Sequence, residues 1–412
     1  MFKKIKKRFS SLLVMFAIIG PGIIGAAAGN DAGGVTTYAY AGAEYGYGLL
    51  WSVVVFTIAL VVVQEMCARL GVVSGKGLAD LVRESYGVKI TFFILVGLLL
   101  ANFATVVAEF AGIAASLEIF SIPRYVSVPT AACVVWVLIT QANYRIVEKV
   151  LFVGAAIFIA YIISGLLAKP DWGEVMKNAI VPHIEFSKTY VILFTGIVGT
   201  TVAPWMQFYV QAAVVEKGVS IEDYKYTKID IIAGSVTAGV VAFFIMVASS
   251  ATLFTNGVHI ETAAEAAVAL EPFAGRFATI LFAGGLLNAS LLGAMIVPIA
   301  TAYYICEGLG FESGLNKKFK EAPWFNGIFT ALIFLGAIPA LFPNAPLIDI
   351  MLASQVINGV LLAPVLICIM LLINKKWLMG EYVNGKLYNI FVWGVVGFLT
   401  ILSVAVVVTT FI

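Results

Sequence analysis

The stretch from Gly20 to Gly34 lies in an apolar run long enough to enter a bilayer, yet six of its residues are glycine. Inside a helix each glycine costs about 1 kcal/mol relative to alanine, so a continuous helix is a poor solution here. Asp31 sits among them, a carboxylate at membrane depth, where charge is expensive and marks a functional site. The pattern predicts a break in the first membrane span from Asn30 to Gly34. Carbonyl groups freed by such a break bind a cation when they line a cavity instead of lipid. The plainer alternative is a glycine-rich packing face in which Asp31 is hydrogen-bonded to a neighbour.

With 61% hydrophobic and 12% charged residues and a mean hydropathy of +1.02, the chain reads as an all-α integral membrane protein in a lipid bilayer. A spanning helix needs about 20 apolar residues, and eleven stretches qualify. They are roughly 15–43 (broken), 49–71, 91–116, 126–142, 149–168, 190–216 (broken), 229–254, 277–306, 324–342, 347–373 and 388–411. Residues 74–87 read as a short amphipathic segment, and 169–189 and 256–275 as the long external loops, the second with a helical stretch from Glu261 to Leu270. Residues 1–14 form a basic N-terminus and 15–412 one transmembrane domain. The start also resembles a signal peptide. Cleavage near Ala26 would discard the half-helix before Asp31, so a retained span is the better reading.

Positive charge belongs on the cytoplasmic side of a membrane. With the N-terminus inside, 20 of the 25 Lys and Arg residues fall in cytoplasmic segments. That supports a multi-pass protein of the cell membrane with a cytoplasmic N-terminus and an external C-terminus. The four cysteines form no Cys-x-x-Cys or Cys/His cluster, which argues against disulfide frameworks and zinc sites.

The sixth span repeats the oddity of the first. Gly196, Gly199, Thr200, Thr201 and Pro204 fall mid-membrane, and Pro204 removes a helical hydrogen bond. Interrupted helices in corresponding positions point to a midplane binding site. They suit an inverted repeat of five plus five helices, about 15–168 and 190–373, with an eleventh helix appended.

At this point the sequence resembles the Nramp family of divalent-metal transporters. The resemblance rests on Gly20-Pro21-Gly22, Asp31-Ala32-Gly33-Gly34, the run from Ala41 to Trp51, and Gln64 through Ser74-Gly75-Lys76 to Arg83-Glu84. It implies the LeuT-type fold and a metal site where the two broken helices meet. Departures from the family pattern matter as much. Of the signature Asp-Pro-Gly-Asn, Asp31 and Gly33 remain, while Ala32 replaces proline and Gly34 the metal-binding asparagine. The sixth-span Met-Pro-His becomes Ala203, Pro204 and Trp205, which loses the methionine ligand. A second family histidine falls at Val210, and a third-span aspartate used in proton transfer falls at Val106. Glu109 is kept, as a gating group or a buried acid, and Gln355 matches the glutamine near the ion.

The resemblance thus implies a metal set of Asp31, carbonyls near Ala28 and Thr200, hydroxyls of Thr200 or Thr201, and Gln355. Gly34 and Ala203 leave room where the family has ligands. An all-oxygen, roomier site suits a partly hydrated magnesium ion, which dehydrates reluctantly. Magnesium uptake without proton coupling, as in the Nramp-related magnesium branch, is the expectation. The only histidines, His183 and His259, lie in expected external loops. A manganese or iron importer of the Nramp type is the nearest alternative, and a sodium-driven transporter of small organic substrates a remoter one. No His-Glu-x-x-His helix or Ser/Lys dyad points to an enzyme. Nothing points to a cofactor, to nucleic acid or to an obligatory protein partner.

Overall fold

The computed structural model describes residues 29–141, 158–271, 275–315 and 317–411. Among them there is no strand. The helices of nine residues or more are α1 (Ala32–Tyr45), α2 (Leu50–Ser74), α3 (Leu78–Glu118), α4 (Arg124–Gln141), α5 (Ile159–Leu167), α6 (Trp172–Ile180), α7 (Lys188–Thr201), α8 (Pro204–Glu216), α9 (Tyr224–Thr252), α10 (Ala278–Leu309), α11 (Pro323–Ala337), α12 (Leu347–Ile373) and α13 (Lys386–Phe411). Eight stretches of the described residues are long and apolar enough to cross a membrane, and Arg124–Thr140 is apolar but shorter. The leading half of the expected first span and residues 142–157, which include the start of the expected fifth, lie outside the described residues. So does the expected N-terminal segment 1–14.

Three local findings bear on the sequence reading. The expected segment 74–87 forms a helix from Leu78 that a kink at Gly87 sets off from the third span, with a non-helical φ of 81° that only glycine adopts freely. The expected loop 169–189 contains α6, started by Asp171, whose carboxylate accepts from the N–H groups of Gly173 and Glu174. In the other expected loop the helical stretch expected from Glu261 to Leu270 is present: a capping box of Thr262 and Glu265 starts a short helix at Ala263, which continues as a tighter turn over Ala267–Leu270.

Helices α1, α7, α3 and α12 meet at the middle of the molecule, with α3 packed along α10 and α9 against α1. Small residues allow this closeness, as is usual where helices associate in lipid. A Cβ built on Gly112 would stand 2.4 Å from Ser290 Oγ and 2.6 Å from the Ala32 Cβ. One on Gly42 would stand 2.6 Å from the Met246 carbonyl oxygen. The core is apolar around that meeting point, with Tyr38, Phe110, Phe282 and Trp205 fully enclosed.

Candidate functional site

Two interruptions face each other. Helix α1 begins at Ala32, so Gly33 and Gly34 are helical and the first break is over by Asp31. The expected break at Asn30–Gly34 is therefore corrected to one that ends three residues sooner. Gly33 serves close approach instead of irregularity, because a Cβ there would sit 2.0 Å from Gln355 Nε2. The second break is Val202–Ala203, between α7 and α8. A helical carbonyl at Thr200 would be served by the N–H of residue 204, and Pro204 has none.

Asp31 caps α1. Its Oδ1 accepts from the Gly34 N–H at 2.6 Å and from Gln355 Nε2 at 3.2 Å. Glu109 is fully buried beside it, and its Oε2 accepts from the Ala32 N–H at 3.3 Å while Oε1 has no partner among the described residues. No Lys, Arg or His among the described residues lies within ion-pair distance of either carboxyl. Among the described residues, Asp31 is served by the hydrogen bonds from Gly34 and Gln355 and by the N-terminal dipole of α1.

The expected site residues divide. Asp31, Gly34, Thr200, Gln355 and Glu109 come together, whereas Ala28 lies outside the described residues. The Thr200 hydroxyl donates to the Gly29 carbonyl at 3.3 Å, which ties the two breaks to each other. Gln355 reaches Asp31 with its amide nitrogen, and its oxygen accepts from Asn358 Nδ2 at 3.3 Å. Ala203 caps α8, and its carbonyl accepts from the Met206 N–H at 3.2 Å and from Gln207 Nε2 at 3.3 Å. The Gly34 position is not roomy either. A Cβ there would meet Thr200 Oγ1 at 2.6 Å, the Gly29 oxygen at 2.8 Å and Asp31 Oδ1 at 3.3 Å.

A small cavity adjoins this point, lined by Gly29, Asn30, Tyr38, Thr200, Thr201 and Met206 together with Leu60, Ala238 and Gly239. About 10 Å³ of it is open to the centre of a water-sized sphere, the space of one water molecule. Asp31 is not in its wall. The carboxylate instead lies against Gly34, whose other neighbour, Thr200, is in the cavity wall.

Sequence reasoning missed several groups. Asn30 donates from Nδ2 to the Ala238 carbonyl at 3.3 Å. The Tyr38 and Thr201 hydroxyls are 2.7 Å apart, and Thr201 in turn donates to the Ile197 carbonyl at 2.6 Å. Asn358 bridges Gln355 to Thr105, whose Oγ1 is 3.0 Å away. Met206 brings a thioether one helical turn beyond Ala203. Asn358 follows Gln355 by three residues, so helical spacing alone puts both on one face.

Residues 22–409 match the family described as natural resistance-associated macrophage protein-like, Nramp. The chain belongs to the Nramp family. It is 27% identical over 396 residues to the divalent metal cation transporter MntH of Deinococcus radiodurans, covering 91% of this chain and 86% of that one. It is 26% identical over 410 residues to MntH of Bacillus subtilis, covering 96% and 93%. Among solved structures, the manganese transporter of Eremococcus coleocola superposes with a TM-score of 0.80 at 21% identity, covering 96% of this chain and 86% of that one. Mhp1, a nucleobase-cation-symport-1 transporter, gives 0.55 at 12% identity, covering 95% and 91%. The fold is the LeuT-type helical fold that the two interrupted helices imply.

Within the Nramp family the departures now have surroundings. Trp205 and Val210 are fully buried. Val106 is buried against α11, where a Cβ on Gly336 would come 2.6 Å from its Cγ1. No group of three or more His, Cys, Asp or Glu residues is gathered anywhere among the described residues.

Proposed function

We propose that this chain carries a divalent metal cation across the membrane, with the ion held between the first and sixth spans. The carrying observation is the convergence of oxygens around Gly34. The Asp31 carboxylate, the Gly29 carbonyl and the Thr200 hydroxyl all lie against that residue, with no basic side chain in ion-pair distance among the described residues. A fixed negative charge with neutral oxygens around it attracts a cation and repels a carboxylate substrate, so the organic-substrate reading loses ground. The chain is a transporter and not an enzyme.

For the ion itself, manganese or a similar transition metal is the better supported choice, and the magnesium expectation gives way. The relatives named above are divalent metal cation transporters, and the solved neighbour is a manganese transporter. Two features of the cavity agree. Its room for about one water suits an ion that has shed its shell, whereas magnesium keeps several waters. Met206 lines it, and a thioether favours a softer ion over magnesium. Magnesium retains one argument as the second reading, because every donor next to Asp31 is oxygen.

Competition between manganese and magnesium for uptake into proteoliposomes tests the choice. Manganese should win in the wild type, and Met206→Leu, which keeps the volume and removes the sulfur, should shift the balance toward magnesium. A wild type that takes magnesium in preference, or an unmoved ratio in the variant, would overturn the transition-metal reading.

A further inference from the structure

Away from the ion path, α3, α10 and α11 leave an apolar groove on the surface of the helix bundle. Its walls are Leu99, Leu100 and Phe103 on α3, Ile305 and Leu309 on α10, and Trp324 through Leu335 on α11, and it exposes no polar atom. Several wall residues are open to the surroundings, including Leu100, Leu309, Trp324 and Leu335. At one end Phe311 and Trp324 stack, ring centres 5.1 Å apart and 16° from parallel. Tryptophan at the end of a membrane helix is an interfacial anchor, which places that end at headgroup level.

The groove's length and the charge of the connection that leads into α11 point to an occupant. From Trp324 to Leu335 the helix rises about 16 Å. That is half of a hydrocarbon core of about 30 Å, the depth of one leaflet. Residues 310–322, which join α10 to α11, carry Lys317, Lys318 and Lys320. Lys317 is paired with Glu312. Glu321 accepts from the backbone N–H of Lys318 at 2.8 Å, and neither the Lys318 nor the Lys320 ammonium has a carboxylate partner among the described residues. Lys318 and Lys320 precede Trp324 by six and four residues; a cationic loop leading into an interfacial aromatic, at one end of a dry slot one leaflet deep, complements a phosphate ester bearing a fatty-acyl chain.

We propose that this groove binds an anionic glycerophospholipid, with one acyl chain along α11 and the phosphate at Lys318 and Lys320. The lipid fills the slot that α3, α10 and α11 leave between them. It thereby braces the outer side of α3, the helix whose inner side carries Glu109.

The test is native mass spectrometry of the full chain released from micelles containing equal amounts of phosphatidylglycerol and phosphatidylcholine with matched acyl chains. Phosphatidylglycerol adducts should exceed phosphatidylcholine adducts several-fold. Lys318→Ala with Lys320→Ala should reduce them to the phosphatidylcholine level, and Lys→Arg at both positions should restore them. Ala331→Trp, on the exposed wall, should deplete adducts of both lipids by filling the slot. Equal retention of the two lipids in the wild type, or anionic adducts that survive the double alanine variant, would overturn the proposal. Size-exclusion profiles of each variant report folding separately.

Discussion

The Thr200 hydroxyl and the Gly29 carbonyl oxygen are 3.3 Å apart, and that bond joins the two breaks, with the Tyr38–Thr201 hydroxyl pair as a second link between the spans. It is a hydrogen bond between neutral groups, worth about 1 kcal/mol, and it lies beside the Asp31 carboxylate. On the proposed function, a divalent cation bound beside Asp31 would compete for these two oxygens, so ion binding and the contact between the two spans would draw on the same atoms.

Asp31 has two separable duties, as a helix cap and as a charge. Asp31→Asn keeps an acceptor for the Gly34 N–H and removes the charge, so divalent uptake should fall to background while the unfolding temperature stays close to wild type. Asp31→Ala loses both, with a further destabilisation of about 1 kcal/mol from the missing cap. Uptake assays paired with thermal unfolding separate the two. Asp31→Asn transporting normally would remove the carboxylate from the ion site.

Transport should proceed without stoichiometric proton movement. Val106, Trp205 and Val210 offer no titratable group at the positions that the family resemblance assigns to proton handling, and all three are buried. Proteoliposomes loaded with a pH-sensitive dye should show metal uptake without matching acidification. A fixed ratio of protons to metal would contradict this and turn attention to Glu109 as the carrier.

On the exposed side, His259 Nδ1 lies 2.7 Å from Glu44 Oε1, linking the end of α1 to the loop after α9. The hydrogen bond and charge of Glu44, with a smaller push from Glu261, raise the imidazole above its ordinary value. A group raised on folding stabilises fully below its unfolded pKa of about 6.5, and that contribution fades as pH rises through the folded value. Thermal unfolding followed from about pH 5 to 8 should show a small decline that His259→Gln abolishes. The effect is small because the pair is exposed and screened.

Substitutions at glycine should separate by surroundings. A Cβ on Gly199 would stand 1.9 Å from the Gln355 carbonyl oxygen, whereas one on Gly394 meets nothing within 4 Å. Gly199→Ala should destabilise by about 1–3 kcal/mol through overpacking, while Gly394→Ala should be neutral or slightly stabilising. Chemical or thermal unfolding of the two variants checks the contrast.

How much of this was legible depends on the kind of signal. Asp31 stands out because a carboxylate in a glycine-rich apolar run has few structural uses, and Pro204 declares the second break by chemistry alone. The exact edge of the first break was not legible. Gly33 and Gly34 look like helix breakers, yet they are helical, and the reason lies in Gln355 and Thr200, more than 160 residues away. Met206 was hidden for a similar reason. Comparison with a family motif directs attention to position 203, while the turn made at Val202–Ala203 puts Met206 in the cavity wall. The orientation of Gln355 depends on Asn358 and Asp31 together, so the residue's identity does not reveal it. The helix at Trp172–Ile180 is short and outside the apolar pattern, and only Asp171 in front of it announces it.

Helices α7 and α12 touch through bare backbone. Position 199 lies against the Gln355 carbonyl oxygen and the Gly359 nitrogen, and a Cβ on Gly359 would be 2.3 Å from the Thr195 carbonyl oxygen. Main chain keyed into main chain has no compressible side-chain layer and no rotamers to absorb sliding. The first half of the sixth span and the tenth-span segment therefore travel as a single strut. Gln355 and Thr200 are held together by that backbone contact, whereas the first span is joined to them by replaceable side-chain hydrogen bonds at Gly29, Asp31 and Tyr38.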